Sequence, residues 1–69
     1  MDRKRVVSSN IYSIGYDESR ELLEVEFKSG DTYQYDAVPA AEFNALMGAA
    51  SIGKYFNANI KDKYRCAKL

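Results

Sequence analysis

The chain has 69 residues, ten basic and ten acidic side chains, one cysteine and no histidine. A chain of this length forms one domain, and folding buries only about 60% of the surface that the unfolded chain exposes. The single thiol, Cys66, cannot form an internal disulfide, and no apolar run is long enough to cross a membrane. The composition therefore predicts a small cytoplasmic domain of modest stability. Homodimerisation is one way in which such a domain could gain stability.

Charge is distributed unevenly along the chain although the total is zero. Residues 1–7 are basic, residues 17–42 carry eight acids against two bases, and residues 54–69 are basic again. The last of these segments is either a solvated helix face or a surface that binds an anion or RNA. We expect residues 1–7 to form a basic, partly flexible arm, residues 8–65 the folded domain and residues 66–69 a C-terminal tail.

Three segments alternate apolar and polar residues with the period of two that is typical of half-buried strands. These predicted strands span residues 8–16, 22–28 and 32–36. Opposing Phe27 with Tyr33 keeps the apolar side chains of the second and third strands on one face. This pairing leaves residues 29–31 as a three-residue loop, in which Gly30 is expected to adopt a left-handed conformation.

The first strand is expected to place Tyr12, Ile14 and Tyr16 on the same face as the apolar residues of the other two strands. Pairing Tyr16 with Leu23 keeps these faces aligned, and it requires a loop with an even number of residues, which 18–21 provides. The sequence therefore predicts a three-stranded antiparallel meander.

Two short helices are predicted after the sheet, which Pro39 ends. The first runs to about Gly48, and its apolar residues have the i, i+3, i+4 and i+7 spacing of one buried stripe, at Phe43, Leu46, Met47 and Ala50. The second follows Ser51, a suitable N-cap, and its inner stripe contains Ile52, Tyr55, Phe56 and Ile60. Gly53 in its first turn indicates close backbone packing or space for a ligand, and we favour packing. The predicted fold is α+β, a three-stranded antiparallel β-meander followed by two short helices packed on one face.

No constellation of residues in the chain indicates catalysis. Histidine, the commonest general base and metal ligand, is absent, so Cys66 has no histidine to activate it. Glu24 and Glu26 lie on the outer face of a predicted strand, where carboxylates are solvated. The glycines match no phosphate-binding loop. We therefore expect a non-enzymatic protein with no catalytic residues, no metal and no cofactor.

Aromatic and basic residues are the remaining candidates for ligand contact, because single-stranded nucleic acids are bound by stacking on rings and by cations. Tyr33 and Tyr35 share the buried face, so we expect core rings with hydroxyls at the rim. The candidate RNA- or anion-binding residues are Lys54, Asn57, Lys61, Lys63, Tyr64 and Arg65. Tyr64 either stacks on a base or docks onto the second helix. RNA binding would require the four cations to share an exposed face, whereas a protein partner would require an apolar surface.

Several motifs together resemble the KTSC domain, a small module named after the C-terminal end of some lysyl-tRNA synthetases. The resemblance runs from residue 7 to residue 64, and its main points are Ile14-Gly15-Tyr16-Asp17, residues 23–27 followed by Gly30, Tyr33-Gln34-Tyr35, Val38-Pro39 and residues 50–57. The motif residues expected to be structural are Tyr33, Tyr35, Ser51, Gly53, Tyr55 and Phe56. The resemblance implies a stand-alone copy of the module with RNA, tRNA-like RNA in particular, as the suggested partner. The alternative is a protein-interaction or homodimerisation module.

Overall fold

Five strands form one antiparallel sheet in the computed structural model, which describes residues 1–69. The elements in chain order are β1 (Arg3–Arg5), β2 (Ile11–Asp17), β3 (Leu22–Phe27), β4 (Thr32–Tyr35), α1 (Ala40–Met47), α2 (Ile52–Asn59) and β5 (Cys66–Lys68). Strand order across the sheet equals chain order, so β1 and β5 are the edges. The predicted α+β class and the two helices are confirmed, whereas the predicted number of three strands is wrong.

The two additional strands are both short edge strands. Each has three residues, all exposed, so neither shows the alternation that marks a half-buried strand. β1 pairs with β2, where Lys4 lies opposite Ile14, and β5 pairs with β4, where Ala67 lies opposite Gln34. The segments expected to be an arm and a tail therefore extend the sheet at its two edges.

The β2–β3 hairpin has the predicted register at its closed end, where Tyr16 lies opposite Leu23. Toward its open end the register shifts between Ile11 and Ser13, and Tyr12 is the extra residue of this irregularity. An extra residue changes which side chains beyond it face the core. Ile11 is therefore fully buried, and Tyr12, which is predicted to point inward, is 39% exposed.

The β3–β4 hairpin differs from the predicted register by two residues, because Val25 rather than Phe27 lies opposite Tyr33. A shift by two keeps every side chain on its predicted face, so apolar alternation alone does not distinguish the two registers. The Phe27 backbone N–H donates to the carbonyl oxygen of Asp31 at 2.8 Å, which places the loop at residues 28–30. Gly30 ends this loop with the expected positive φ, 102°.

The hydrophobic core lies between one face of the sheet and the two helices. Its buried members are Ile11, Ile14, Leu23, Val25, Tyr35, Val38, Leu46, Phe56 and Ile60. Phe27 and Tyr33 are only partly buried and pack against this cluster. The margin of the core beside β3 and β4 is consequently aromatic and accessible to solvent.

The helix boundaries follow the capping signals of the sequence. The Gly48 N–H donates to the carbonyl oxygen of Asn44 at 3.0 Å, and Gly48 is the C-cap of α1. The Ser51 Oγ accepts the Lys54 N–H at 3.3 Å, as expected of the N-cap of α2. Ala50, predicted to extend the apolar stripe of the first helix, lies between the helices and is exposed. Neither eight-residue helix is long enough to span a bilayer.

Candidate functional site

Four aromatic rings from β3, β4 and α2 meet at the margin of the core. The Phe56 ring packs edge to face against Phe27 and Tyr35, with centroid distances of 5.6 and 5.4 Å. Tyr33 packs edge to face against Phe27 at 5.9 Å. Edge-to-face packing is a favoured geometry for aromatic pairs. Each ring is therefore held in place by at least one neighbouring ring.

These rings line a cavity of about 360 Å³. Its polar and charged lining residues come from the β1–β2 loop, α2, the turn after α2 and β5, and they are Asn10, Asn57, Lys61, Asp62 and Cys66. We call this cavity the aromatic pocket, and its apolar lining consists of Phe27, Tyr33, Tyr35 and Phe56. The pocket thus combines flat apolar surfaces with hydrogen-bonding groups of both kinds.

The Tyr35 hydroxyl has no hydrogen-bond partner within the protein, although Tyr35 is only 4% exposed. The hydroxyls of Tyr16, Tyr55 and Tyr64, by contrast, all donate to protein oxygens. Burial, together with the nearby Cys66, Tyr33 and Asp62 groups, raises the pKa of Tyr35 to about 12. The Tyr35 hydroxyl therefore stays protonated at neutral pH and is a free donor in the pocket.

Two opposite charges at the rim of the pocket, Lys61 and Asp62, are also unpaired. The four ion pairs of the structure involve neither residue. The backbone around them is fixed, because the Lys61 N–H donates to the carbonyl oxygen of Phe56 at 3.0 Å and the Lys63 N–H donates to that of Ile60 at 3.1 Å. Both residues therefore line the pocket from an ordered backbone, and their charged groups are available to a ligand.

A second polar cluster is centred on Glu42 of α1. Its carboxylate accepts hydrogen bonds from the Tyr55 hydroxyl, from the Tyr64 hydroxyl at 3.0 Å and from the Lys63 Nζ at 3.3 Å. The Glu42 side chain is only 10% exposed. These donors, the Tyr55 hydroxyl first, lower the pKa of Glu42 below the ordinary glutamate value. The cluster ties α1 to α2 and to the segment that precedes β5.

The predicted RNA-binding residues lie in three different environments, namely the aromatic pocket, the Glu42 cluster and the exposed surface. Asn57 and Lys61 line the aromatic pocket. Lys63 and Tyr64 contact Glu42 of α1 instead, so Tyr64 is held against the first helix, whereas the predicted docking was onto the second helix. The remaining two, Lys54 and Arg65, are exposed and line no cavity. The six residues therefore do not converge on one pocket.

The motif residues also have distinct positions. Three of them line the aromatic pocket, namely Tyr33, Tyr35 and Phe56. Ser51 caps α2 and Tyr55 donates to Glu42. A Cβ atom added to Gly53 would lie 3.0 Å from Asn10 Oδ1 and 3.2 Å from a second side-chain oxygen of the β1–β2 loop. Gly53 therefore allows that loop to approach α2 closely, which agrees with the packing interpretation.

Three polar residues of the pocket are absent from the predicted site: Asn10, Asp62 and Cys66. Cys66 reaches the pocket because β5 pairs with β4, where it lies opposite Tyr35, and this pairing has no signal in the local sequence. Asn10 reaches α2 through the close approach at Gly53. For Asp62 the available signal is its position next to Lys61, a predicted contact residue.

Comparison with known proteins gives consistent matches. The KTSC domain matches residues 7–64. An uncharacterized protein of Stutzerimonas stutzeri is 44% identical over 64 residues, which cover 93% of this chain and 90% of that protein. A lysine–tRNA ligase of Nostoc punctiforme is 36% identical over 61 residues, which cover 88% of this chain and 11% of the ligase.

A KTSC domain protein of Yersinia pestis, known from its crystal structure, is 43% identical to the chain, with a TM-score of 0.96. This likeness covers 99% of the chain and 96% of the solved protein, so it includes both edge strands. Since the family match, the sequence relatives and the fold agree over nearly the whole length, the chain belongs to the KTSC domain family.

Proposed function

We propose that the domain binds single-stranded RNA by stacking an unpaired base on the rings of the aromatic pocket. The observation that carries this proposal is the pocket itself, in which aromatic rings packed edge to face and unpaired polar groups line the same cavity. Proteins bind unpaired bases by the same combination of stacking and hydrogen bonding to base edges. A volume of about 360 Å³ also falls within the range of small-ligand sites.

Cations beside the pocket support a path for the RNA backbone. Lys54, Asn57 and Lys61 recur at i, i+3 and i+7, so they follow one side of α2 and its C-terminal end, and all three are exposed. The acidic β2–β3 loop lies at the opposite end of β3 from Phe27, and it does not border the pocket. Phosphates that approach along Lys54 and Lys61 would therefore meet positive charge first.

The family relation supports the same class of partner. The matched region of the Nostoc punctiforme protein is a small part of an enzyme named for its action on tRNA, lysine–tRNA ligase. A module carried by such an enzyme is in regular proximity to RNA, and tRNA-like RNA is therefore the first ligand to test. We propose that the domain acts in the cytoplasm and is a binding module without catalytic activity.

A protein-interaction or homodimerisation module, the alternative, would require an apolar surface. The large exposed hydrophobic residues are Met1, Val7, Tyr12 and Leu69, and the Arg5 guanidinium lies 4.0 Å from the centroid of the Tyr12 ring. All three residues of the edge strand β1, Arg3–Arg5, are basic, and charge on an edge opposes the addition of a further strand. These features favour RNA over a second protein.

The test is fluorescence anisotropy on labelled single-stranded RNA of mixed sequence, measured over a salt series. Tyr33→Leu, which removes a ring from the pocket, should weaken binding by about ten-fold or more, the effect of losing one stacked base. Lys61→Ala should flatten the slope of log K against log salt by about 0.7 for each phosphate that is no longer neutralised. The matched controls are Tyr12→Leu, at the register irregularity of β2, and Lys4→Ala, on β1, and both should bind as the wild type does.

The absence of wild-type binding at low salt to both mixed single strands and tRNA would disprove the proposal. Equal losses for Tyr33→Leu and Tyr12→Leu would show that the aromatic pocket is not the binding site. Circular dichroism of each variant at the assay temperature establishes that any loss of binding comes from the site and not from unfolding.

A further inference from the structure

The aromatic pocket contains several hydrogen-bond donors but a single carboxylate. The Tyr35 hydroxyl and the Lys61 ammonium are donors without a protein partner. The Asn10 Oδ1 already accepts the Ser8 hydroxyl at 3.1 Å, which leaves the Asn10 amide nitrogen as a further donor. The acceptors without a protein partner are the Asp62 carboxylate and the Asn57 amide oxygen, and of these only Asp62 is charged.

Asp62 lies where it can accept hydrogen bonds from a ligand in the pocket. It lines the pocket, and its charge is one of the nearby groups that raise the pKa of Tyr35, so the acceptor and the unpaired, solvent-accessible Tyr35 hydroxyl lie in one electrostatic environment. No cation of the protein neutralises it. The carboxylate therefore gains most from a ligand that brings two adjacent N–H groups, since both oxygens of a carboxylate can accept.

Among the four RNA bases, only guanine presents that pattern. Its Watson–Crick edge carries two adjacent donors, N1–H and N2–H₂, beside one acceptor, O6. Uracil has a single N–H between two acceptors, while adenine and cytosine each combine one amino group with an acceptor at the neighbouring ring nitrogen. A carboxylate opposite the ring nitrogen of adenine or cytosine would repel it, since both groups are acceptors.

We propose that the aromatic pocket selects guanine in single-stranded RNA, with the Asp62 carboxylate accepting N1–H and N2–H₂ and the Tyr35 hydroxyl and the Asn10 amide facing O6. This inference rests on the proposed RNA-binding function. It assigns separate roles to the two charges at the rim, because Lys61 contributes to affinity for any RNA and Asp62 to the choice of base.

The experiment uses labelled oligouridine strands of equal length that differ at one central position, which is G, inosine, A, C or U. Wild-type protein should bind the strand with G about ten-fold more tightly than the strand with U, the discrimination expected of a bidentate contact. Inosine lacks only the N2 amino group and should lose most of that preference. Asp62→Asn should bind all five strands within about two-fold of one another, because an amide oxygen beside an amino group no longer matches both donors.

Glu18→Gln is the matched control, since it also replaces an exposed acid by its amide but lies in the β2–β3 loop, and it should keep the wild-type preference for G. Equal binding of all five strands by the wild type, or an unchanged preference in Asp62→Asn, would overturn the assignment of guanine while RNA binding stands. Failure to bind any strand, oligouridine included, would contradict RNA binding itself and with it the selection of a base.

Discussion

Glu42 is the residue on which the polar contacts between the helices converge. Its carboxylate accepts hydrogen bonds from Tyr55 on α2 and from Lys63 and Tyr64 beyond it, and these donors lower its pKa. The pKa of Asp17 is also lowered, by the Ser19 hydroxyl first. A carboxyl group whose pKa is lower in the folded state stabilises the fold above its unfolded pKa, and this contribution is lost as pH falls through the folded pKa.

Glu42→Gln should therefore lower the free energy of unfolding at neutral pH by about 1–3 kcal/mol, because the charged acceptor of three donors becomes a neutral amide. The same variant should depend less on pH than the wild type below the ordinary glutamate value of 4.5, with Asp17 responsible for the residual slope. Urea denaturation followed by circular dichroism across the acid range measures both effects. A wild-type acid profile in Glu42→Gln would show that the Glu42 cluster does not form in solution.

At the scale of single elements, the β3–β4 turn depends on one backbone conformation. Gly30 has a φ of 102°, and a Cβ atom there would meet no atom within 4 Å, so the only obstacle to a side chain is the backbone angle itself. Gly30→Ala should destabilise the domain by about 1–2 kcal/mol, and Gly30→Val by more, because β-branched residues tolerate positive φ poorly. Gly48→Ala is the control, since Gly48 has a φ of −91° and the substitution should have little effect. Chemical denaturation of all three variants gives the comparison, and equal midpoints for Gly30→Val and wild type would contradict a left-handed turn.

The packing of edge strand β1 on Gly15 can be tested by adding a side chain at this glycine. A Cβ atom on Gly15 would lie 2.8 Å from the carbonyl oxygen of Asp2 and 2.7 Å from the Arg3 Cγ, so β1 has to shift if a side chain is added. Gly15→Ala should cost about 1–3 kcal/mol in the full chain, the usual penalty of overpacking. The same substitution should cost much less in a chain that begins at residue 6, where β1 is missing. Equal costs in the two chains, measured by urea melts, would mean that β1 does not pack on Gly15.

For the whole molecule, the tyrosines set the alkaline limit of stability. Burial raises the pKa of Tyr16, of Tyr64 and of Tyr35, the last to about 12, and a hydrogen bond to Glu42 raises that of Tyr55. Folding therefore favours the protonated hydroxyls, and this stability is fully present below the unfolded tyrosine pKa of about 10 and is lost as pH rises toward the folded values.

The free energy of unfolding should accordingly be steady up to about pH 9 and fall beyond about pH 10. Tyr35→Phe removes a hydroxyl that has no protein partner, so it should leave neutral stability nearly unchanged and make the alkaline fall shallower. Urea melts at increasing pH, with tyrosinate absorbance recorded in parallel, test this expectation. A Tyr35→Phe profile identical to the wild type would show that the Tyr35 hydroxyl is solvated in the folded protein.

Much of this domain is encoded locally. Alternation of apolar residues identifies β2, β3 and β4, the closing loop of the β2–β3 hairpin follows from matching their faces, and Gly30, Gly48 and Ser51 identify a turn and two helix ends. These signals depend on neighbours only a few residues away, so they can be recognised in the sequence without knowledge of the fold. The resemblance to the KTSC domain rests on the same local motifs, and it is confirmed over residues 7–64.

Long-range pairing decides the rest. β1 and β5 are exposed along their whole length and are strands only because β2 and β4 offer unpaired backbone groups to them. Apolar alternation predicts neither the irregularity at Tyr12 nor the two-residue shift of the β3–β4 register. The irregularity changes the alternation within a strand, and the shift by two leaves the alternation unchanged. The aromatic pocket exists only after β5 brings Cys66 opposite Tyr35 and α2 places Lys61 and Asp62 beside it. Sequence thus determines which residues are aromatic, charged or turn-forming, whereas tertiary packing decides which of them meet, since distant segments come together through burial and backbone pairing of the whole chain.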